Sequence, residues 1–536
     1  MPLSSPTVAG LIVEALHAAG VQRLFGMPGG GSNLDLIEAG QVRGLPFVLA
    51  HTETAAALMA CAEAELTGHP GVCLCTLGPG VASIVNGVAH AYLDRVPLLV
   101  FSDRHPDSAQ ACLHQRLDHQ AIFAPVTKKR FELTRDDARR ILEEALATAV
   151  APPAGPVHID CPSDVLSGPP GSRTAPHPAP PVVPPPAPLP PAIARLVAHA
   201  RRPLVLAGLG AASAPAAQAV RAFCEAHAVP AMVTYKAKGV LPDGHPLYAG
   251  VFTNGAIERP ILDRADLLIG AGLDPVELLP RPWNHAQPIL YCGPPLPAQR
   301  HVPFAAGIAG ELPAALASLA AGRPGGTDWD PDEPLRAVAG QRAALRVDAP
   351  GLAPFRAIEV VAAAVGPDAR VTVDAGAHMF PAVGLWPVVA PRQMLISNGL
   401  STMGFALPTA IGAALTDRGR RTVAITGDGG LLMCAGELRT AAREQLPLLV
   451  VVLNDASLSL IRIKQDGKGY APAGVGIGEV DWRAVAGAMG VPAWRADDAA
   501  SLRDSLRAAL VLAGPACIEA RVDGQSYATT LKAVRG

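Results

Sequence analysis

Charge of either sign is scarce in this 536-residue chain: charged residues make up 17%, the net charge is −2, and no long run of Lys or Arg occurs. That scarcity argues against nucleic acid or a membrane surface as the main partner. Paired cysteines are missing too. None of the nine stands in a Cys-x-x-Cys spacing, so the thiols are expected to be buried residues of a reducing cytosol. No apolar stretch reaches the roughly 20 residues of a membrane helix. The amino-terminal segment lacks the basic start and apolar core of a secretory signal. Its apolar residues recur at helical spacing from Val8 to Ala18, which predicts an amphipathic first helix. A soluble, cytoplasmic protein is expected. The Walker pattern of nucleotide triphosphatases is also absent.

Apolar residues, by contrast, are plentiful, at half the chain, and the length calls for about three cores. Residues 167–191 are so rich in proline that they predict an extended, semi-rigid linker. A second break falls near GRPGGTDWDPDEP. Its aspartates 328, 330 and 332 are spaced like a calcium loop, but the turn glycine and closing glutamate are lacking, so a solvated linker is predicted. The expected domains are 1–166, 192–322 and 350–536, with 323–349 as the second linker. Each alternates short apolar runs, such as GVCLCTL, PLVLAGLG and TVAITGDGG, with helical stretches. Such alternation predicts α/β architecture: three doubly wound domains built on parallel sheets covered on both faces.

The third block carries the most legible chemistry. The predicted strand TVAIT runs into Gly427-Asp428-Gly429-Gly430, a helix is predicted at about 434–445, and the strand PLLVVVL ends at Asn454-Asp455. A βαβ unit sets both strand ends side by side at the carboxyl edge of the sheet, where such sheets bind ligands. Two hard oxygen ligands beside a glycine turn suit Mg²⁺ and a phosphate. A lone Gly-Asp-Gly is a common strand-to-helix turn; Asp455 at the neighbouring strand end makes the metal site the stronger reading.

This pattern resembles the diphosphate-metal motif of thiamine-diphosphate enzymes, a Gly-Asp-Gly turn followed at the next strand end by Asn-Asn. Within that family the chain is similar overall to acetolactate synthase large subunits and their decarboxylase relatives. The resemblance implies pyrimidine-binding, central and diphosphate-binding domains in that order, with thiamine diphosphate and Mg²⁺ as cofactors. Asp428 and Asp455 would ligate the metal through side chains and Ser457 through its carbonyl. Asp455 departs from the usual Asn yet keeps an oxygen ligand.

Alone, Glu53 in HTETAAALMACAEAELTG reads as a helix-start acid, favourable to the macrodipole. The stretch resembles the Arg-His-Glu segment that precedes Thr-Ser-Gly-Pro-Gly in the synthases, here Thr76-Leu77-Gly78-Pro79-Gly80. By that likeness Glu53 is the acid that bonds the pyrimidine N1′ and so lets the cofactor lose its C2 proton. His51 stands one residue further from the glutamate than in the family. The glycine turn of LFGMPGGG would leave room for substrate at Gly30 and Gly31. NGLSTMGFALP resembles GGLGTMGFGLP, which makes Met403, otherwise core filler, the wedge beneath the bent cofactor, and the Ser401 carbonyl an acceptor for its amino group. In VDAGAH, Ala377 through its backbone and His378 through its ring would hold the diphosphate; the plainer reading of His378 is a solvent-exposed histidine.

Counting back from Thr127-Lys128 aligns Gln115 with the synthases' substrate-side glutamine and His114 with its neighbouring phenylalanine; a polar surface helix is the plainer reading. Lys464 falls where their substrate-selecting tryptophan stands, and would pair with a substrate carboxylate or point to solvent. The reading is a Mg²⁺- and thiamine-diphosphate-dependent carboligase of 2-oxo acids that works as a homodimer or homotetramer with sites at the chain interface. The runner-up is a simple 2-oxo acid decarboxylase. Intact Glu53 and Met403 argue against a non-catalytic relative. FAD is allowed in the central domain but not favoured. The loop Gly208-x-Gly210-x-x-Ser213 is a weak dinucleotide fingerprint with no acid closing the next strand, so an oxidoreductase has little support.

Overall fold

The computed structural model describes residues 7–109, 113–171, 189–296, 301–323 and 325–536. Most of the proline-rich stretch therefore lies outside the described residues. Three six-stranded sheets succeed one another along the chain, all parallel. The first contains β1 (Leu24–Gly26), β2 (Phe47–Leu49), β3 (Gly71–Cys75), β4 (Leu98–Arg104), β5 (Lys129–Glu132) and β6 (Pro156–Pro162), in the order β2-β1-β3-β4-β6-β5. The second contains β7 (Pro203–Ala207), β8 (Ala231–Val233), β9 (Tyr248–Val251), β10 (Leu267–Ala271), β11 (Ile289–Gly293) and β12 (Phe304–Ala309). The third contains β13 (Arg370–Val373), β14 (Met394–Ile396), β15 (Thr422–Gly427), β16 (Leu448–Asn454), β17 (Ala493–Ala496) and β18 (Ala516–Arg521). Its order, β14-β13-β15-β16-β18-β17, repeats that of the first sheet.

Central strands such as β3, β15 and β16 are buried along their whole length, because helices cover both faces of a parallel sheet. Their continuous apolar runs follow from that double burial. Several edge strands differ. In β12 burial alternates residue by residue, and β5 and β17 carry exposed charge, so none of the three forms a continuous buried apolar run. The first helix spans Val8–Ala18, as its periodicity requires, with Thr7 capping Gly10 N.

The first and third sheets share one core. The Ala-rich helix Glu53–Thr67 lies against Ala406–Thr416 so closely that a Cβ on Gly412 would stand 2.3 Å from the Met59 carbonyl oxygen. From the central domain, Lys236 reaches Glu65 (2.9 Å) and Asp94 (3.3 Å), and Lys238 donates to the carbonyls of Val383 and Trp386.

Two expectations change. The segment 323–349 is not a plain solvated linker: it holds the helix Glu333–Leu345, and Trp329 is buried, its indole N–H donating to Pro203 O at 2.7 Å. The helix placed at 434–445 begins earlier, at Asp428, breaks after Cys434 and resumes over Glu437–Arg443. Gly427 is the extended N-cap, and Asp428 in the first turn complements the helix dipole.

Candidate active site

Where the strand order reverses, between β13 and β15, the loops leaving the carboxyl ends diverge and open a crevice. A cavity of about 320 Å³ occupies it, walled by the loop after β13, the Gly427–Gly430 turn, the loop after β16 and the final helix, Tyr527–Arg535. Of the residues singled out from sequence, Ala377, His378, Ser401, Met403, Gly427, Asp428, Gly429, Gly430, Asp455, Ser457 and Lys464 all line it.

The register Gly427↔Leu453 brings the two acidic strand ends together. Asp428 is 3% exposed; one carboxylate oxygen accepts from Gly429 N (2.8 Å) and the other is buried with no hydrogen-bond partner. Burial, and then the charge of Asp455, push its carboxyl up to about 6. Burial also raises Asp455, whose Oδ2 accepts from the Ser459 hydroxyl. A Cβ on Gly524 would stand 2.4 Å from that oxygen, so the loop after β18 packs closely on the carboxylate. Asn454 turns away, bonding Glu519 and, through its Oδ1, accepting from Ala456 N. Ala456 then takes a left-handed φ of 55°, which swings Ser457 into the cavity wall. Two adjacent carboxylates, one of them with an orphaned buried oxygen, form a donor set suited to a hard divalent cation.

The turn glycines are explained by packing as much as by anion access. A Cβ on Gly430 would lie 2.4 Å from Asp374 Oδ2. Asp374, which the sequence reading passed over, accepts from Thr426 Oγ1 (2.9 Å), Phe405 N (3.2 Å) and Ala375 N (2.9 Å). It therefore ties the ends of β13 and β15 to the loop that bears Met403, and burial pushes it up to about 6. The Met403 methyl lies 3.6 Å from where a Gly429 Cβ would be. His378 is no surface residue. Its ring is wedged between Gly376 and Gly427, Nε2 has no partner, and burial lowers it to about 4, so it is neutral. Ser401 takes φ 54°. Lys464 lies on the exposed helix Ser459–Asp466 at the cavity rim and has no acidic partner among the described residues. Tyr527 and Arg535 also line the cavity and were missed. Their eight-residue spacing puts them on one face of a helix, but that is no signal without knowing what the helix faces.

A second group gathers at the corresponding switch point of the first sheet, between β1 and β3. Glu53 opens its helix behind the Thr52 cap and is 8% exposed. Its Oε1 lies 3.2 Å from the Cβ position of Gly80, and Thr76 Oγ1 lies 2.5 Å from that of Gly29. Gly30 faces open space. Gln115 backs onto Gly78, in an exposed turn with φ 62° and not on a helix. His114 is exposed in the same turn, its carbonyl accepting from His105. His51 is occupied elsewhere, its N–H donating to Glu437 and its ring meeting Thr440 Oγ1 at 2.9 Å. None of this group lines the first cavity.

The weak central fingerprint has a different explanation. Gly208 and Gly210 pack against the backbone of Leu273 and Gly272, and Leu209 N donates to Glu277 Oε2 at 2.7 Å. Glu277, pushed up to about 8 by burial, accepts that N–H. Among the described residues one further metal-type cluster occurs, His119, His158 and Asp160. Its oxygens are already engaged: Asp160 accepts from His119 (2.8 Å), Ser102 (2.8 Å) and Gln120 (2.8 Å). All eight described cysteines are free and buried.

Comparison with known proteins finds the thiamine pyrophosphate enzyme family by all three of its domain models. The N-terminal TPP binding domain matches residues 6–122, the central domain 191–319 and the C-terminal TPP binding domain 374–520. The catabolic acetolactate synthase of Raoultella terrigena is 32% identical over 96% of this chain and 95% of its own length. The acetolactate synthase isozyme 1 large subunit of Escherichia coli is 30% identical over 97% and 94%. A probable 2-ketoarginine decarboxylase of Pseudomonas aeruginosa is 32% identical over 97% and 95%.

Proposed function

Because this chain belongs to the thiamine pyrophosphate enzymes of the acetolactate synthase type, we propose that it is a Mg²⁺-dependent carboligase, releasing CO₂ from one 2-oxo acid and joining the remainder to a second carbonyl. The observation that carries the Mg²⁺ part is the crevice at the β13/β15 switch point, with paired carboxylates Asp428 and Asp455, an orphaned buried oxygen and a glycine turn at one helix start. These residues fit a divalent ion and a diphosphate: Asp428, Asp455 and the Ser457 carbonyl would hold the ion. The Gly427–Gly430 turn, Ala377 N–H and His378 would hold the phosphates, and Met403 would support the bend.

Thiamine diphosphate supplies the electron sink that makes loss of CO₂ from a 2-oxo acid accessible. Glu53, enclosed by Gly80 and Thr76, holds a proton at the pyrimidine N1′. Gln115 offers a non-titrating amide to orient a carbonyl, with His114 beside it, and the bare Gly30 leaves room for substrate. Flavin is no part of this reading, since the glycine loop's N–H is already given to Glu277; the purified protein should be colourless.

Glu53 and the metal carboxylates lie in separate groups within one chain, which supports a homodimer or tetramer whose sites combine the two. Exposed apolar side chains border both groups: Met27, Leu34 and Leu117 near the first, Leu432, Met433 and Ile461 near the second. Burying such surface between copies is favourable. A simple decarboxylase is the second reading, favoured by Lys464 at the cavity rim and by the decarboxylase named among the relatives. Product analysis across a panel of 2-oxo acids decides. Acyloin with CO₂ is expected, aldehyde alone selects the second reading, and neither product from any substrate defeats both.

A further inference from the structure

The final helix, Tyr527–Arg535, closes one side of the cavity, and its last side chain presents a charge problem. Arg535 Nε is buried without a hydrogen-bond partner. Its guanidinium lies 5.5 Å from the ring centre of Phe380, at the start of the helix that follows His378. No ion pair joins Arg535 to any acid among the described residues. The groups around it do not balance it. Tyr235 is neutral, its hydroxyl pushed far up by burial. Arg281 adds a second cation and donates to the Arg535 carbonyl. Buried Glu258, across the domain junction, accepts through Oε1 from Thr253 and Gly255, leaves Oε2 without a partner, forms no ion pair with Arg535 and is raised towards its neutral form by burial. A guanidinium half withdrawn from water without a counter-ion is costly, and one facing a cavity marks where an anion belongs.

We propose that Arg535 is a cationic anchor for the terminal phosphate of the cofactor's diphosphate, acting from the final helix in the cavity that Asp428 and Asp455 also line. This rests on the thiamine-diphosphate reading above. The two charges would have distinct tasks: the Asp428–Asp455 pair would hold the metal, and Arg535 would neutralise charge on the terminal phosphate. Phe380 holds the guanidinium plane, and the helix register places Tyr527 on the same face beside Asp455 and Asp428, whose charges both act on it.

The test is calorimetric titration of thiamine diphosphate and thiamine monophosphate into the full-length protein with saturating Mg²⁺, for wild type and Arg535→Met. Methionine keeps the apolar stem over Phe380 and removes the charge. Diphosphate affinity should fall about tenfold, the size of one lost charge-assisted bond, while monophosphate affinity stays within about twofold. Arg535→Lys should recover part of the preference, and it carries the test should the methionine variant not fold. Equal loss for both ligands, or no loss for either, overturns the proposal. Wild-type protein that binds neither ligand overturns the thiamine-diphosphate reading of the site, a distinct result.

Discussion

At the scale of single residues, the chemistry is set by what surrounds each titratable group. Glu53→Gln should lower turnover by about 10²–10⁴-fold, the usual worth of a placed proton-transfer group, while calorimetry still shows cofactor binding. An active variant would remove Glu53 from its assigned role. His158 bears on stability instead. Burial lowers it from 6.5 to about 4, against the opposing pull of Asp160. The unfolded chain therefore binds the extra proton first. The stability contributed is complete above pH 6.5 and lost progressively as pH falls towards 4. His378, lowered to the same value by burial, adds to that loss. His158→Gln should make denaturant-measured stability less steep over this interval, by up to about 1.4 kcal/mol per pH unit. An unchanged slope would show that His158 is not neutral in the folded state. The chemical types of Glu53, Asp428 and Asp455 were legible from their motifs. Asp374, Tyr527 and Arg535 were not, because an isolated Asp, Tyr or Arg carries no spacing signal until the packing shows what it touches.

At the scale of elements, close approach matters more than capping. The helices Glu53–Thr67 and Ala406–Thr416 hold Glu53 and the Met403 loop in fixed relation, and their contact depends on Gly412 against the Met59 carbonyl. Gly412→Ala puts a methyl into a 2.3 Å gap and should destabilise by about 1–3 kcal/mol, as overpacked cores do. Chemical denaturation measures this, and a neutral substitution would mean that the helices can slide apart freely. The strand ends that carry Gly427 and Asp455 were readable because doubly buried strands must be continuously apolar. The early start of the helix at Asp428 was not, since a glycine-rich turn has weak propensity and the third sheet's packing decided where it coils.

At the scale of the molecule, the first and third sheets share a strand order, and each presents half of the proposed machinery at its own switch point. If the halves of two chains combine, mixing Glu53→Gln with Asp428→Asn protein and allowing exchange should regenerate about a quarter of wild-type turnover, because half the dimers are mixed and each holds one intact site. No recovery in the mixture, with dimers confirmed by sedimentation, would place the whole site within one chain.

The sequence by itself determined the α/β class, the parallel sheets and the motif residues, because buried strands and glycine turns impose patterns that are local in the chain. Only the tertiary structure decided that eleven of those residues line one cavity, that Glu277 takes the N–H of the central glycine loop, and that Arg535 closes the site. Those relations join residues far apart in the chain, and they depend on which surfaces meet once the cores have packed.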